Sequence, residues 1–438
     1  MLHENVVVVG GGIAGITAAY FEAKKGNHVT ILETSSHLGG LLQSDYLHGQ
    51  YFDYGTHLLA QTGEIELDQF LFSEFNSDNC NMMTSINAGN YFNGKMNHQS
   101  CYIDSKTMNQ NDYNQACLEL LSSMDQPQGK NLEEFLLHKF GRTFYANIHR
   151  PVIKKYFGVE PKYLATKTAN FFDMSRLLVF DDLTTKRLCK LDGYDDRLGH
   201  HHREEGVVKY YPKDCGIGQL INFLVQKLEY QNVNIRYLTN LQTIEHSKGR
   251  VTQVSANNGA FKVDKLIWTV PIGILSRIAN IGESIDSPTF RATGLYNFTF
   301  DKPLNSKAAF INVPDIAMHS SRVTLYQNLS DPTNYSCTVE VLTDSVAILK
   351  DLIYEVHQEL IQMGLIGEEY KCIFKHYRVL KYGFPVLTKD FMVRDSEVSG
   401  FCDSYFSNVL FLGRSNNKTF FMNEVLIDAY RRIMNGEN

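Results

Sequence analysis

Val6-Val7-Val8-Val9-Gly10-Gly11-Gly12-Ile13-Ala14-Gly15, with Glu33 at the end of the next apolar run, is the stretch that decides the fold. Four successive valines suit a buried strand, because branching at Cβ favours extended backbone and the absence of alternation means both faces are covered. The glycines follow with no polar loop between. Ile16 to Lys25 then read as a helix of small residues, Gly26-Asn27 as a turn, and His28-Val29-Thr30-Ile31-Leu32 as a second strand. This is a βαβ opening. Gly10 permits a tight turn and Gly12 a close backbone approach to a pyrophosphate. Gly15 lets helix and strand pack closely, and Ile13 and Ala14 share the loop. Glycine clusters also make ordinary turns, so an α/β sheet with a plain glycine turn is the alternative. Glu33 lies about twenty residues beyond the loop, where a carboxylate accepts from both ribose hydroxyls and repels a 2′-phosphate. An adenosine of FAD or NAD therefore fits better than NADP.

The next stretches separate those two. Ser36-His37-Leu38-Gly39-Gly40-Leu41-Leu42 and Tyr51-Phe52-Asp53-Tyr54-Gly55-Thr56-His57 resemble the amine oxidase, protoporphyrinogen oxidase and UDP-galactopyranose mutase superfamily of flavoproteins. The resemblance implies FAD, with Gly39, Gly40 and Leu41 along it and Gly55, Thr56 and His57 near its reactive ring. A histidine in such a turn can equally cap backbone groups. The likeness continues at Tyr211 to Leu220 and at Leu241, where the family's backbone touches adenine. It extends to Thr269-Val270-Pro271, to Gly413-Arg414 and to Met422-Asn423. Asn423 stands where aspartate is usual, and it retains the capacity to cap the helix that starts there.

Within the superfamily the mutase branch is the most similar. Asn131-Leu132-Glu133-Glu134 begins a similar helix, and Met174-Ser175-Arg176 and Ser320-Ser321-Arg322 fall where that branch has substrate arginines. The resemblance implies that Arg176 and Arg322 grip the diphosphate of a nucleotide sugar, which suits a planar, permanently charged fork. Structural ion pairing is the alternative for each. Three positions depart from the pattern: Ala60 replaces a second histidine, Tyr156 lies near a replaced tryptophan, and Thr419-Phe420-Phe421 lacks phosphate-binding hydroxyls. The expectation is an FAD-dependent oxidoreductase acting on a nucleotide-linked sugar in surface-glycan synthesis. A mutase-like isomerase without net redox change and a non-catalytic flavoprotein scaffold are the alternatives.

The remaining chain bounds this picture. At 438 residues, 43% of them apolar, it exceeds one ordinary domain. The βαβ opening predicts an α/β fold, and the resemblance implies a glutathione-reductase-type, Rossmann-like FAD domain from 1–61, 209–290 and 380–438, with an inserted mixed α+β substrate domain from 62–208 and 291–379. A net charge of −6 gives no general attraction to nucleic acid, so the expected partner is a small molecule. The eight cysteines show no metal-ligand spacing, which favours free thiols in a reducing cytoplasm. No signal peptide or membrane segment is read. His200-His201-His202 are adjacent and flanked by solvated charge, so no metal is expected.

Overall fold

The computed structural model describes residues 3–122, 129–201, 206–283, 285–415 and 418–436. A five-stranded parallel sheet holds, in spatial order, Asn234–Arg236, His28–Leu32, Asn5–Val9, Lys265–Trp268 and Val409–Phe411. The valine run explains why this sheet is covered on both faces. Val6 and Val8 pack with Ile16, Phe21 and Leu224, whereas Val7 and Val9 pack with Trp268, Leu275 and Phe411 on the other side. Alternation of side chains along a strand requires two cores once every position is apolar.

The first helix is Ile13–Lys24 and starts directly from Gly12, three residues earlier than the sequence suggests. Small side chains let it begin inside the glycine loop, and neither a capping side chain nor an acidic residue occupies its first turn. Its first amide N–H groups therefore face outward with the positive end of the helix dipole.

Strand-like apolar runs at 232–237, 250–254 and 265–270 predict a return of the chain to this layer, and the first and last of them enter it. The 250–254 stretch does not: Arg250–Ala256 is the middle of a separate antiparallel meander with Leu241–Ser247 and Gly259–Lys262. Short turns at 248–249 and 257–258 make adjacent pairing the shortest route. The last strand and final helix, Met422–Asn435, appear as expected.

A second, seven-stranded sheet runs in the order Cys372–Pro385, Phe290–Phe300, Ser336–Thr343, Ser320–Leu325, Phe310–Asn312, Ala88–Phe92 and Lys95–Asn97. Its neighbours are antiparallel except Phe310–Asn312 against Ala88–Phe92. Helices Leu132–Phe144 and Arg150–Phe157, with Asn131 capping the first through Glu134 N–H, build an apolar core beside it. The stretch 62–211 reads as helices and polar loops, yet it also gives the strands Cys80–Met83 and Ala88–Phe92. Their partners lie far along the chain, beyond any local pattern.

Candidate functional site

The glycine loop is shaped by contacts that tolerate no side chain, except at one position. A Cβ on Gly15 would overlap the Gly10 carbonyl oxygen, one on Gly11 would overlap Leu38, and Gly10 has φ +99° beside Thr269. Above Gly12, in contrast, a Cβ would meet nothing within 4 Å. Gly39 donates to the Gly11 carbonyl at 2.8 Å and lies in register with Gly12, which brings Gly39-Gly40-Leu41 alongside the loop. Glu33 closes the other side. Its carboxylate accepts from Gly11 N–H at 2.7 Å and Ser35 N–H at 2.8 Å, and its carbonyl accepts from Thr239 N–H at 2.8 Å. That last bond carries the chain towards Leu241.

From the C-terminal side, Gly413 packs so close to Ala14 that a Cβ there would stand 3.1 Å from the Ala14 Cβ. Arg414 lies over the Phe420 ring at 5.0 Å. Its side chain is accessible to solvent, yet desolvation by the surrounding protein lowers its pKa below the ordinary arginine value. Asn423 does not cap its helix as expected. It sits at the second helical position, with its amide 3.4 Å from the carbonyls of Ala60 and Gln61. The carboxylate of Glu424 instead accepts from the N–H groups of Phe420 and Phe421.

A second polar cluster is built on the seven-stranded sheet. Asn97, Asn90, Asn312, Arg322 and Glu340 stand opposite one another on five successive strands, so their side chains form one polar row. Arg322 Nε donates to Asn312 Oδ1 at 3.1 Å, its Nη1 lies 4.0 Å from Glu340, and its guanidinium covers Phe172 at 5.3 Å. Glu340 accepts from Thr56 through both N–H and hydroxyl at 3.1 Å. This couples the Gly55-Thr56-His57 segment to Arg322. His57 itself bonds the Tyr54 backbone, the capping role left open above, while its Nε2 is buried without a partner. Burial holds the imidazole below its ordinary pKa against the pull of Glu340, so it is neutral at pH 7.

Asp53, quoted above only as part of a motif, is fully buried. It accepts from Ser44 hydroxyl at 2.6 Å, Tyr211 hydroxyl at 2.6 Å and Ile217 N–H at 3.0 Å. Its own N–H reaches the Tyr326 hydroxyl at 2.8 Å, which bonds Thr338. Asp53 thus ties the strand Gln50–Asp53 to the returning 211–218 segment through its carboxylate, and to Tyr326 beside the second sheet through its N–H. Glu340 and Asp53 were missed because acidic residues in apolar strands carry no local mark of what they bind.

Arg176 stands apart from this cluster. It donates to the Leu198 carbonyl at 3.0 Å and lies 3.9 Å from Asp195. Among the described residues one trio, Cys189, Asp195 and His200, brings possible metal-ligating atoms within 4.8 Å of one another. Arg176 already places positive charge at that Asp195 oxygen. Of the three adjacent histidines, His202 lies outside the described residues.

Residues 8–71 match the family of NAD(P)-binding Rossmann-like domains. A crystal structure of reduced UDP-galactopyranose mutase superposes with a TM-score of 0.75 at 16% identity, covering 99% of this chain and 93% of that one. A structure from Exiguobacterium sp. 255-15, named for protoporphyrinogen oxidase, gives 0.72 at 16% identity and covers 99% of both chains. This chain shares the fold of those two structures. A 1-hydroxycarotenoid 3,4-desaturase of Flavobacterium sp. (strain P99-3) is 24% identical over 284 residues, 61% of this chain and 57% of that protein's length. An L-amino-acid oxidase of Bungarus fasciatus is 41% identical over 64 residues, 14% of this chain and 12% of its own.

The residues present fit the FAD that the sequence resemblance implies. The open space above Gly12 is a cradle that any side chain would fill, uncapped helix N–H groups border it, and Glu33 stands where a ribose would lie. The partnerless His57 Nε2 marks the other end.

Proposed function

We propose that this protein is an FAD-dependent oxidoreductase acting on a small molecule. Residues 1–61, 209–290 and 380–438 hold the cofactor, through Gly10, Gly12, Gly15, Glu33, Gly39, Gly40, Gly413 and Arg414. Residues 62–208 and 291–379 hold the substrate. The observation that carries this reading is the neutral His57 beside the Arg322–Glu340 pair and within electrostatic reach of Arg414; the space between this group and the glycine loop is read as the recess for cofactor and substrate. Bound FAD supplies two-electron redox chemistry. The chain's part is to orient the substrate with Arg322, present His57 Nε2 as a hydrogen-bonding group, and keep water out with aromatic side chains. Free thiols at all eight cysteines support the cytoplasm as its compartment, and no helix among the described residues is long and apolar enough to cross a membrane.

Arg322→Ala tests the substrate site. It removes the charged donor while Asn312 and Glu340 hold the sheet, so flavin content is expected to stay intact. The kcat/KM of any substrate found by anaerobic bleaching of the flavin is expected to fall about a hundredfold, equivalent to roughly 2.7 kcal/mol. Unchanged turnover would remove Arg322 from the site.

A nucleotide-linked sugar in cell-surface glycan synthesis is the second reading, supported by Arg322 beside His57. In this reading Arg322 grips the diphosphate without Arg176, whose guanidinium is directed to Leu198 and Asp195. Titration with UDP-sugars before and after dithionite reduction tests it: binding that tightens on reduction favours a mutase-like, redox-neutral reaction.

A further inference from the structure

Tyr156 is 1% exposed, and its hydroxyl has no hydrogen-bond partner. A buried phenol normally finds an acceptor, and leaving one unmade costs about 1–3 kcal/mol. Arg322, Asp173 and Glu340 act on this phenol through their charge, the first and last of them members of the row that borders His57. Its ring stacks on Phe172 at 4.4 Å, and Phe172 in turn lies under Arg322.

Phe172 is itself unusual. It and Asp173 both have left-handed backbones, with φ 54° and 56°. For a bulky side chain this conformation is strained by about 1–3 kcal/mol and persists only where surrounding contacts enforce it. Here the enforcing contacts belong to the site: Asp173 accepts from Asn312 Nδ2 at 3.0 Å, and Asn312 fixes Arg322. The strained turn thus lays the Phe172 ring against Tyr156 and beneath Arg322.

The walls are apolar. Phe172 adjoins Phe384 at 4.8 Å, Phe384 adjoins Phe420 at 6.0 Å, and Phe420 lies under Arg414. Arg322 and Arg414 stand against Glu340 and Asp173, with His57 neutral, and the Lys155 ammonium over the Tyr156 ring is engaged by the carbonyls of Val313, Asp315 and Ser320. A nucleotide diphosphate would bring two or more negative charges into a recess that has no positive surplus, next to Asp173 and Glu340.

We propose that Tyr156 determines substrate specificity. Its hydroxyl donates to a single sp² oxygen, a carbonyl or carboxylate, on a mainly apolar substrate, and Phe172 rotates from its strained turn to admit that group. This inference rests on the proposed function only in taking the recess as the substrate site.

The test is calorimetric titration of the purified holoprotein and of Tyr156→Phe with acetophenone, phenylacetate and UDP, with flavin content recorded separately. The substitution keeps the ring and its stack, and a thermal melt confirms folding. Acetophenone or phenylacetate is expected to bind the parent and to lose at least about fivefold in affinity in Tyr156→Phe, in line with loss of one hydrogen bond. Which of the two responds distinguishes a neutral carbonyl from a carboxylate. Equal affinities in parent and variant, no binding of either aromatic probe to the parent, or binding of UDP alone would overturn the proposal. Tyr156-dependent binding in a protein devoid of flavin would sink the oxidoreductase reading and leave this inference standing. Full flavin content with Tyr156-independent binding would do the reverse.

Discussion

A Gly12→Val protein is expected to fold with the stability of the parent and to purify colourless. Gly12 has φ −70° and ψ 179°, extended backbone that valine adopts readily, and the space above it is open. Nothing in the folded chain opposes the substitution. What the branched side chain fills is the approach by which a pyrophosphate reaches the uncapped helix N–H groups. An overlap of this kind costs about 3 kcal/mol, roughly a hundredfold in FAD affinity. Gly15→Ala is the contrasting control, because its Cβ would overlap the Gly10 carbonyl oxygen; it is expected to lower the melting temperature itself. Parallel melts and flavin quantification separate the two. A yellow, fully loaded Gly12→Val protein would contradict the assignment of this loop.

Asp53→Ala is expected to destabilise the fold by about 3–5 kcal/mol, measurable by urea unfolding. The substitution strands three buried donors, the Ser44 and Tyr211 hydroxyls and the Ile217 N–H. Asp53→Asn keeps most of these bonds without the charge and separates the two contributions. Burial raises the Asp53 pKa from 3.8 to about 6, against the lowering pull of Ser44, Tyr211 and Ile217. For a carboxyl raised in the folded state, the stabilising contribution is complete below the unfolded pKa of 3.8 and is lost as pH rises through about 6. That shift corresponds to about 3 kcal/mol. Asparagine does not titrate, so the stability of Asp53→Asn relative to the parent is expected to rise between about pH 4 and pH 7. A difference independent of pH would show that Asp53 is ionised throughout.

These two cases also mark what the sequence discloses. Gly10, Gly15, Gly39 and Gly413 are legible because each answers a local demand of backbone geometry or close packing, Gly12 through its place in the glycine pattern, and Glu33 because its distance from the loop is set by one helix and one strand. Asp53 is visible only as a residue between aromatic neighbours, since its partners at 44, 211, 217 and 326 come from three separate segments. Glu340 and Asn312 acquire meaning through cross-strand register with Arg322, a relation between positions far apart in the chain. Asn423 has a side chain suited to capping, yet the helix begins one residue earlier and turns it towards Ala60. Arg176 illustrates the limit of matching by type: its residue class suits an anion site, but its neighbours direct it to Leu198. The helix Lys389–Tyr405 was also missed, because its apolar residues are spread around it rather than gathered on one face.

The most direct test of the account is the visible absorption spectrum of the freshly purified protein, with the cofactor released by heat and identified by chromatography. The account predicts the two-band spectrum of an oxidised flavin and release of FAD in equal amount to the chain. A colourless protein that also fails to take up added FAD would contradict it.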